Sequence, residues 1–470
     1  MARPLEVFRS RSYSSILRTV VFPRRGRVLA AALIAFATPA HADILIDNVN
    51  GITLTPEGAT ERFNGILIGD DGRIEQVLAR SDKRPGKVEY RLDGKGRVLI
   101  PGFIDSHVDL MELGLAQLTG ADAPPESKPR PEDLDLALLK AQQLFLERGI
   151  TAVTDMGTTI EDWQTYRRAG DLGMLRLRIV AYADGADAMI VIGGPGPTTW
   201  LYDDRLRMNG IRLKLDGALA PRKATLKAPY ADGPAKAANL LSNTQLKNLM
   251  SRAAMDNFQV AVEASGDKAS LEVLEAIDEL AQTYKGERRW RIEGAEVVDP
   301  ADLPHFGRNG VIVSMQPLQV SQPATAEAHL GPARLGGAYA WKSLADAGAK
   351  LAFGSGTAAA PPEPFAALAT AITRQGANGQ PFGGWQPQQR LTREAAMAAY
   401  TTGAAYAAFA DGRIGRIAKG QRADFLLIDR DPLLATPEEL KATRVLETWI
   451  GGKRLYQAKD SQPVSEAGGR

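Results

Sequence analysis

Asp105, His107 and Asp109 close an apolar run, VLIPGFIDSHVDL, at 98–110. Residues two apart on a strand project to the same side, so His107 and Asp109 can converge on one point. A His-x-His pair at the end of a barrel's first strand is a common beginning of a metal site. Here the second member is an aspartate. Other charged or polar side chains stand where later apolar runs end: Arg212 and Lys214 with Asp216 just beyond, Glu263, Glu293 and Ser355. Two chemistries are open to such a set. His107, Asp109 and Glu263 offer one imidazole and two carboxylates, a hard donor set suited to Mn, Mg or Ca. Alternatively, Arg212 or Lys214 pairs with those carboxylates and neutralises the site without a metal, because buried carboxylates need a partner. Ser106 precedes His107 directly, so the two side chains point to opposite faces of a strand and a serine nucleophile is disfavoured.

These residues need a scaffold that brings distant strand ends together. Apolar runs at 98–104, 151–154, 175–183, 211–215, 259–263, 289–293, 311–316 and 350–354 read as strands. Helical segments at 133–147, 243–257, 268–283, 339–347 and 363–374 alternate with them, and a further helix is predicted over 393–409. Eight such units predict a (β/α)8 barrel over 100–411, with its chemistry at the C-terminal strand ends. Connections at 117–131, 184–209, 217–241 and 320–337 are rich in Pro, Gly and Ala and read as loops covering the barrel mouth. The segments 43–99 and 412–460 read instead as short strands between Gly and Asp turns. They predict one small β-sandwich built from both ends.

The 470-residue chain is 44% hydrophobic and 24% charged, ordinary for a globular protein of this size. It has no cysteine and four histidines, His41, His107, His305 and His329. Thiolate ligands and disulfides are therefore excluded, and a zinc site has few imidazoles to draw on. His305 and His329 fall in a helical region and a polar loop and read as solvated. Arg24, Arg25 and Arg27 precede the apolar run 28–37, and Ala40-His41-Ala42 has the small-x-small form of a cleavage site. Residues 1–42 are thus expected to be an export signal, giving a periplasmic or secreted protein with no stable membrane span after cleavage. That segment carries seven Arg and one Glu, so the remainder is net −4 although the whole chain is +2. No basic stripe with interleaved aromatics is present, and no nucleic-acid partner is expected.

The segments PGFIDSHVD, LDGALAPR, VEASGDKAS, RIEGAEVVDPADLPHFGRNGVIVSMQP, GAYAWKSLADAGAKLAFGSGTAAAPPEP, KGQRADFLLIDRDP and VLETWIGGKRLY occur in that order. Together they resemble the amidohydrolase superfamily, in the branch of N-substituted formamide deformylases and exoenzyme-regulatory proteins. The resemblance covers 43–457. It implies hydrolysis of a non-peptide carbon–nitrogen bond by metal-activated water. It also implies metal ligands at a first-strand His pair, a strand-four carboxylated lysine, His residues on strands five and six, and an Asp on strand eight.

Carried onto this chain, those positions hold His107 and Asp109, then Arg212 (Lys214 if the alignment slips by two), Glu263, Gly294 and Gly356. Arginine stays protonated and cannot be carboxylated, and glycine offers no ligand. The proton acceptor expected on strand eight is missing with Gly356. The expectation is an amidohydrolase-like barrel with a degenerate metal site that binds a small-molecule ligand with little or no turnover. One alternative is an active hydrolase that uses Asp109 and Glu263 in a rebuilt site with bound Zn or Mn. Another is a non-catalytic partner of an active paralogue. Arg212, Lys214, Asp216, Glu293 and Ser355 are expected to line the pocket, and self-association is compatible with each reading.

Overall fold

The computed structural model describes residues 44–119, 129–321, 323–356 and 361–459. The export signal expected over 1–42 lies outside them, as do nine residues of the 117–131 connection. Eight parallel strands form one sheet: β1 (Phe103–Val108), β2 (Ile150–Thr158), β3 (Arg178–Asp184), β4 (Leu206–Lys214), β5 (Gln259–Ala264), β6 (Arg291–Gly294), β7 (Ile312–Met315) and β8 (Lys350–Phe353). They pair in sequence order. A parallel bridge from Val108 to Gly356 joins the last to the first, with Gly356 N donating to His107 O at 2.9 Å. Helices alternate with the strands, as a (β/α)8 barrel requires.

The strands are buried along nearly their whole length, as expected where helices cover the outside and side chains fill the inside. The helix Pro131–Glu147 shows why its sequence folds as it does. Pro131 opens it, Glu132 and Asp133 sit in its first turn, and Leu134, Ala137, Leu138, Ala141 and Phe145 form the buried stripe.

Both ends of the described chain meet in a second layered unit. One sheet holds Ile74–Leu78, Gly65–Ile68, Ile44–Asp47 and Tyr90–Asp93. The other runs Lys453–Gln457, Val445–Ile450, Phe425–Ile428, Val98–Pro101, Asn50–Leu54 and Thr60–Phe63. Ile46, Ile66, Phe63, Leu99, Phe425 and Trp449 share one apolar core between them, and Phe425 stacks on Trp449 at 5.3 Å.

The sequence reading needs four corrections. The run at 98–104 is two strands. Val98–Pro101 pairs with Phe425–Ile428 in the small sheet, and the chain then crosses at Gly102 into β1. The 184–209 connection contains a helix, Gly185–Gly193, and the first residues of β4. The 320–337 connection contains the helix Pro323–Leu330. The helix expected over 393–409 breaks at Thr401 into Arg393–Tyr400 and Thr402–Ala407. Among the described residues no helix is long and apolar enough to cross a membrane.

Candidate functional site

The C-terminal ends of β1, β4, β5 and β6 bring together a column of charges. At its base Arg291 and Glu293, two apart on β6, point into the barrel and are fully buried. Arg291 donates to Tyr182 Oη at 3.1 Å, to Ser106 O at 2.7 Å and to Glu293 Oε1 at 2.7 Å. The other Glu293 oxygen faces His107 Nδ1 at 2.8 Å. Burial opposes ionisation of Glu293, but the Arg291 charge and the His107 contact overcome it and bring the carboxyl down to about 2. Burial alone would depress His107. The hydrogen bond and charge of Glu293, with Glu263 and Asp109 beyond, outweigh it and raise the imidazole above its ordinary value. With Nδ1 committed to Glu293, Nε2 is the nitrogen left to face the mouth, 4.0 Å from Glu263 Oε1.

Above His107 the bridging cation is Arg212. One of its terminal nitrogens lies 2.9 Å from Asp109 Oδ1 and 3.4 Å from Glu263 Oε1, and the other lies 3.6 Å from Asp184 Oδ1. The β2 backbone makes room for this. A Cβ at Gly157 would stand 2.9 Å from the guanidinium carbon, and its φ of +116° is one that side chains rarely adopt. The guanidinium is 5% exposed, whereas Asp109 and Glu263 keep 22% and 24% of their side chains in contact with solvent. Beside this group a cavity of about 410 Å³ opens over β1 to β4, lined in part by Asp109, Asp155, Asp162, Asp184, Arg212 and Lys214.

Of the residues singled out in sequence, His107, Asp109, Arg212, Glu263 and Glu293 meet in this column. Lys214 is exposed on the cavity wall and makes no ion pair among the described residues. Asp216 is not available to a ligand: its carboxylate accepts from Thr225 N, Ser265 N and Gly266 N at 2.8–3.0 Å and anchors the loop after β4. Burial, against those three donors, lifts it to about 6. Ser355 lies outside the column, with its amide donating to Asp105 Oδ1 at 3.0 Å.

Sequence reasoning gave no role to Arg291 or to Asp155. Asp155 is buried in the C-terminal half of β2, where it accepts from Leu110 N, Thr158 Oγ1 and Tyr166 Oη at 2.6–2.9 Å. Burial, with Asp162 nearby, pushes it up to about 7. An acidic residue closing an otherwise apolar run was the available signal for it.

Whether a divalent metal suits this arrangement can be tested on the donor atoms. A metal at the mouth would need His107, Asp109 and Glu263 to turn lone pairs toward one point free of other cations. The Arg212 guanidinium already lies between the two carboxylates. Gly294 and Gly356 add no donor, and their φ values of +96° and +90° disfavour any side chain there. Among the described residues no group of three or more His, Asp or Glu side chains is placed to hold a metal ion. The side chains as arranged do not fit a divalent ion.

A family model described as "Amidohydrolase family" matches residues 121–456, most of the chain. The chain belongs to the amidohydrolase family. The chain is 30% identical over 345 residues to Protein LONG AFTER FAR-RED 3 of Arabidopsis thaliana, a match covering 68% of this chain and 57% of that protein. It is 23% identical over 336 residues to the N-substituted formamide deformylase of Arthrobacter pascens, covering 67% and 59%. The matches thus span under two thirds of these relatives' own lengths. Among solved structures, an uncharacterized metal-dependent hydrolase from Pyrococcus horikoshii superposes with a TM-score of 0.71 at 20% identity, covering 84% of this chain and 99% of that one. That likeness is one of fold.

Proposed function

We propose that this member of the amidohydrolase family binds a small polar molecule at its barrel mouth through a fixed guanidinium, and that it has lost hydrolysis by metal-activated water. The observation that carries the reading is Arg212, seated on Gly157, 2.9 Å from Asp109 and 3.4 Å from Glu263. A permanently charged group there supplies the positive charge that the family's metal would otherwise bring. It neutralises the carboxylates, but it provides no open coordination position at which water could be activated. The adjoining cavity of about 410 Å³ has the size for a small ligand.

The test is elemental analysis of the full chain purified without chelators, then repeated after loading with Zn or Mn. No stoichiometric metal is expected in either preparation. About one retained equivalent, lost in both Asp109→Ala and Glu263→Ala, would overturn the proposal and return the chain to the metal hydrolases.

The His107–Glu293 pair favours a second reading, a rebuilt site that uses His107 and Glu263 as acid and base. Amide turnover that survives chelation and disappears in Glu263→Ala would establish it. We also propose that the protein is exported, on the leader-like pattern of residues 1–42. A mature N-terminus at Asp43 is the expected result of N-terminal sequencing.

A further inference from the structure

His329, read in sequence as solvated, is 7% exposed on the helix Pro323–Leu330. Its Nδ1 lies 2.8 Å from Asp232 Oδ2 and its Nε2 lies 3.0 Å from the carbonyl oxygen of Ala220. A carbonyl oxygen only accepts. The hydrogen bond from Arg222 to Asp232, at 2.8 Å, holds that carboxyl below the ordinary carboxylate range, so it too only accepts. Both ring nitrogens must therefore donate, and an imidazole that donates twice is the imidazolium cation.

Both acceptors lie in the loop that follows β4, which begins one residue after Lys214. The helix carrying His329 lies in the connection that follows β7. β4 and β7 are not neighbours in the barrel, so His329 ties two rim segments over the ends of the strands between them. Ala231 N adds a bond to His329 O at 2.8 Å, and Arg334 donates to Ala228 O at 2.9 Å and to Pro229 O at 2.7 Å. Neither a backbone amide nor a guanidinium changes charge near neutral pH. The charged and titratable groups around His329 are few. From the loop come Asp232 with its partner Arg222, and Tyr230, whose ring meets the imidazole edge-on at 5.5 Å and whose hydroxyl donates to Ala224 O. From its own helix comes Glu327, which accepts from Trp385 Nε1 at 2.9 Å. Arg334 follows in the same connection.

We propose that His329 is a proton-operated latch that fastens the β4 loop to the β7 connection. When the ring gives up one proton, one N–H···O bond becomes two facing lone pairs, and the imidazole's tie is lost while the amide and guanidinium bonds remain. The latch is tight when both ring nitrogens carry protons and looser when one does not.

The full chain has four histidines, so His329→Gln identifies the His329 ring signals in a nitrogen–proton correlation spectrum. At about pH 6 the ring is expected to show protons on both nitrogens. Amide exchange over 219–233, corrected for its intrinsic pH dependence, is expected to quicken about tenfold between about pH 6 and about pH 8.5, while exchange in β5 stays unchanged. That pH response should be absent in His329→Gln and in Asp232→Asn. A singly protonated ring at about pH 6, a loop whose protection ignores pH, or a pH response that persists in both variants would each overturn the latch. Should His329→Gln fail to fold, Asp232→Asn and the unmodified protein still decide it.

Discussion

The inside of the barrel has two polar layers that treat their charges differently. In the lower layer Tyr182, Asn209 and Gln259 bond to one another, and Gln259 reaches the carbonyls of Arg289 and Ala407 at 2.6 and 2.9 Å. Arg291 and Glu293 close this layer as a fully buried pair at 2.7 Å. At the mouth the pairs are longer and wetter. Arg212 is shared among Asp109, Glu263 and a half-exposed Asp184, and its Nε has no hydrogen-bond partner among the described residues. A saturated buried network fixes a structure, whereas a loosely shared, part-hydrated one can exchange its contacts for a ligand's. The lower layer should therefore govern folding and the mouth should govern binding.

The sharpest way to break this contrast is Arg291→Met. It strands Glu293 as a buried charge and should cost about 3–5 kcal/mol, read by urea unfolding. A cost like that of a surface change would mean that the layers do not differ. Next in size is Gly356→Asp, which places an acid where the resemblance implies one. The φ of +90° and the approach of a Cβ to within 3.0 Å of Gln316 Cγ should destabilise the protein by about 1–3 kcal/mol, again by urea unfolding, without creating metal-dependent amide hydrolysis. The backbone at Gly356 is thus shaped for glycine, and adding a carboxylate there alone should not create a metal site.

What the sequence made legible follows the same division. His107, Asp109 and Glu263 stand out because each is a polar residue that ends an apolar strand, and the barrel sends strand ends to one place. Arg291 does not stand out, because an arginine inside the run 289–293 carries no sign in the sequence of which way it points. Only the closed barrel shows that it points inward, at Glu293. Asp155 was passed over because the run ending at Thr154 stopped one residue short. The helix Gly185–Gly193 was hidden by the glycines and prolines that follow it, which carry a loop signal stronger than nine residues of helix periodicity. The choice between Arg212 and Lys214 could not be made from spacing, since residues two apart share a face. Burial decides it: Arg212 is packed against Gly157 and Lys214 stands in solvent.

Acid–base titration also separates the regions. Asp155 is held up at about 7, so the folded protein binds that proton more tightly than the unfolded chain does. Its contribution to stability is fully present below the unfolded value near about 4 and is lost as pH rises through about 7. Asp155→Asn should remove a change of about 4 kcal/mol from the stability profile across that window, measured by denaturant titration at several pH values. Thr158 and Tyr166 can turn their hydroxyls to accept from the new amide, so the fold should be kept. Glu293, brought down to about 2, has the opposite sign. Its contribution is present above the unfolded value and lost only as pH falls toward about 2, so it leaves the neutral window flat.

The smallest stability effect should come with the largest change in behaviour. Arg212→Met removes the cation from between Asp109 and Glu263. Both carboxylates keep solvent contact, so water can take over part of the guanidinium's role, and the expected cost is about 1 kcal/mol. The same change leaves His107 Nε2 and two carboxylates with no competing positive charge. Added Mn should then raise the Tm of the variant and leave that of the unmodified protein in place. A rise in both proteins would show that Arg212 does not exclude metal from the mouth. A rise in neither would show that the missing donors at Gly294 and Gly356 are enough to keep metal out even without the guanidinium.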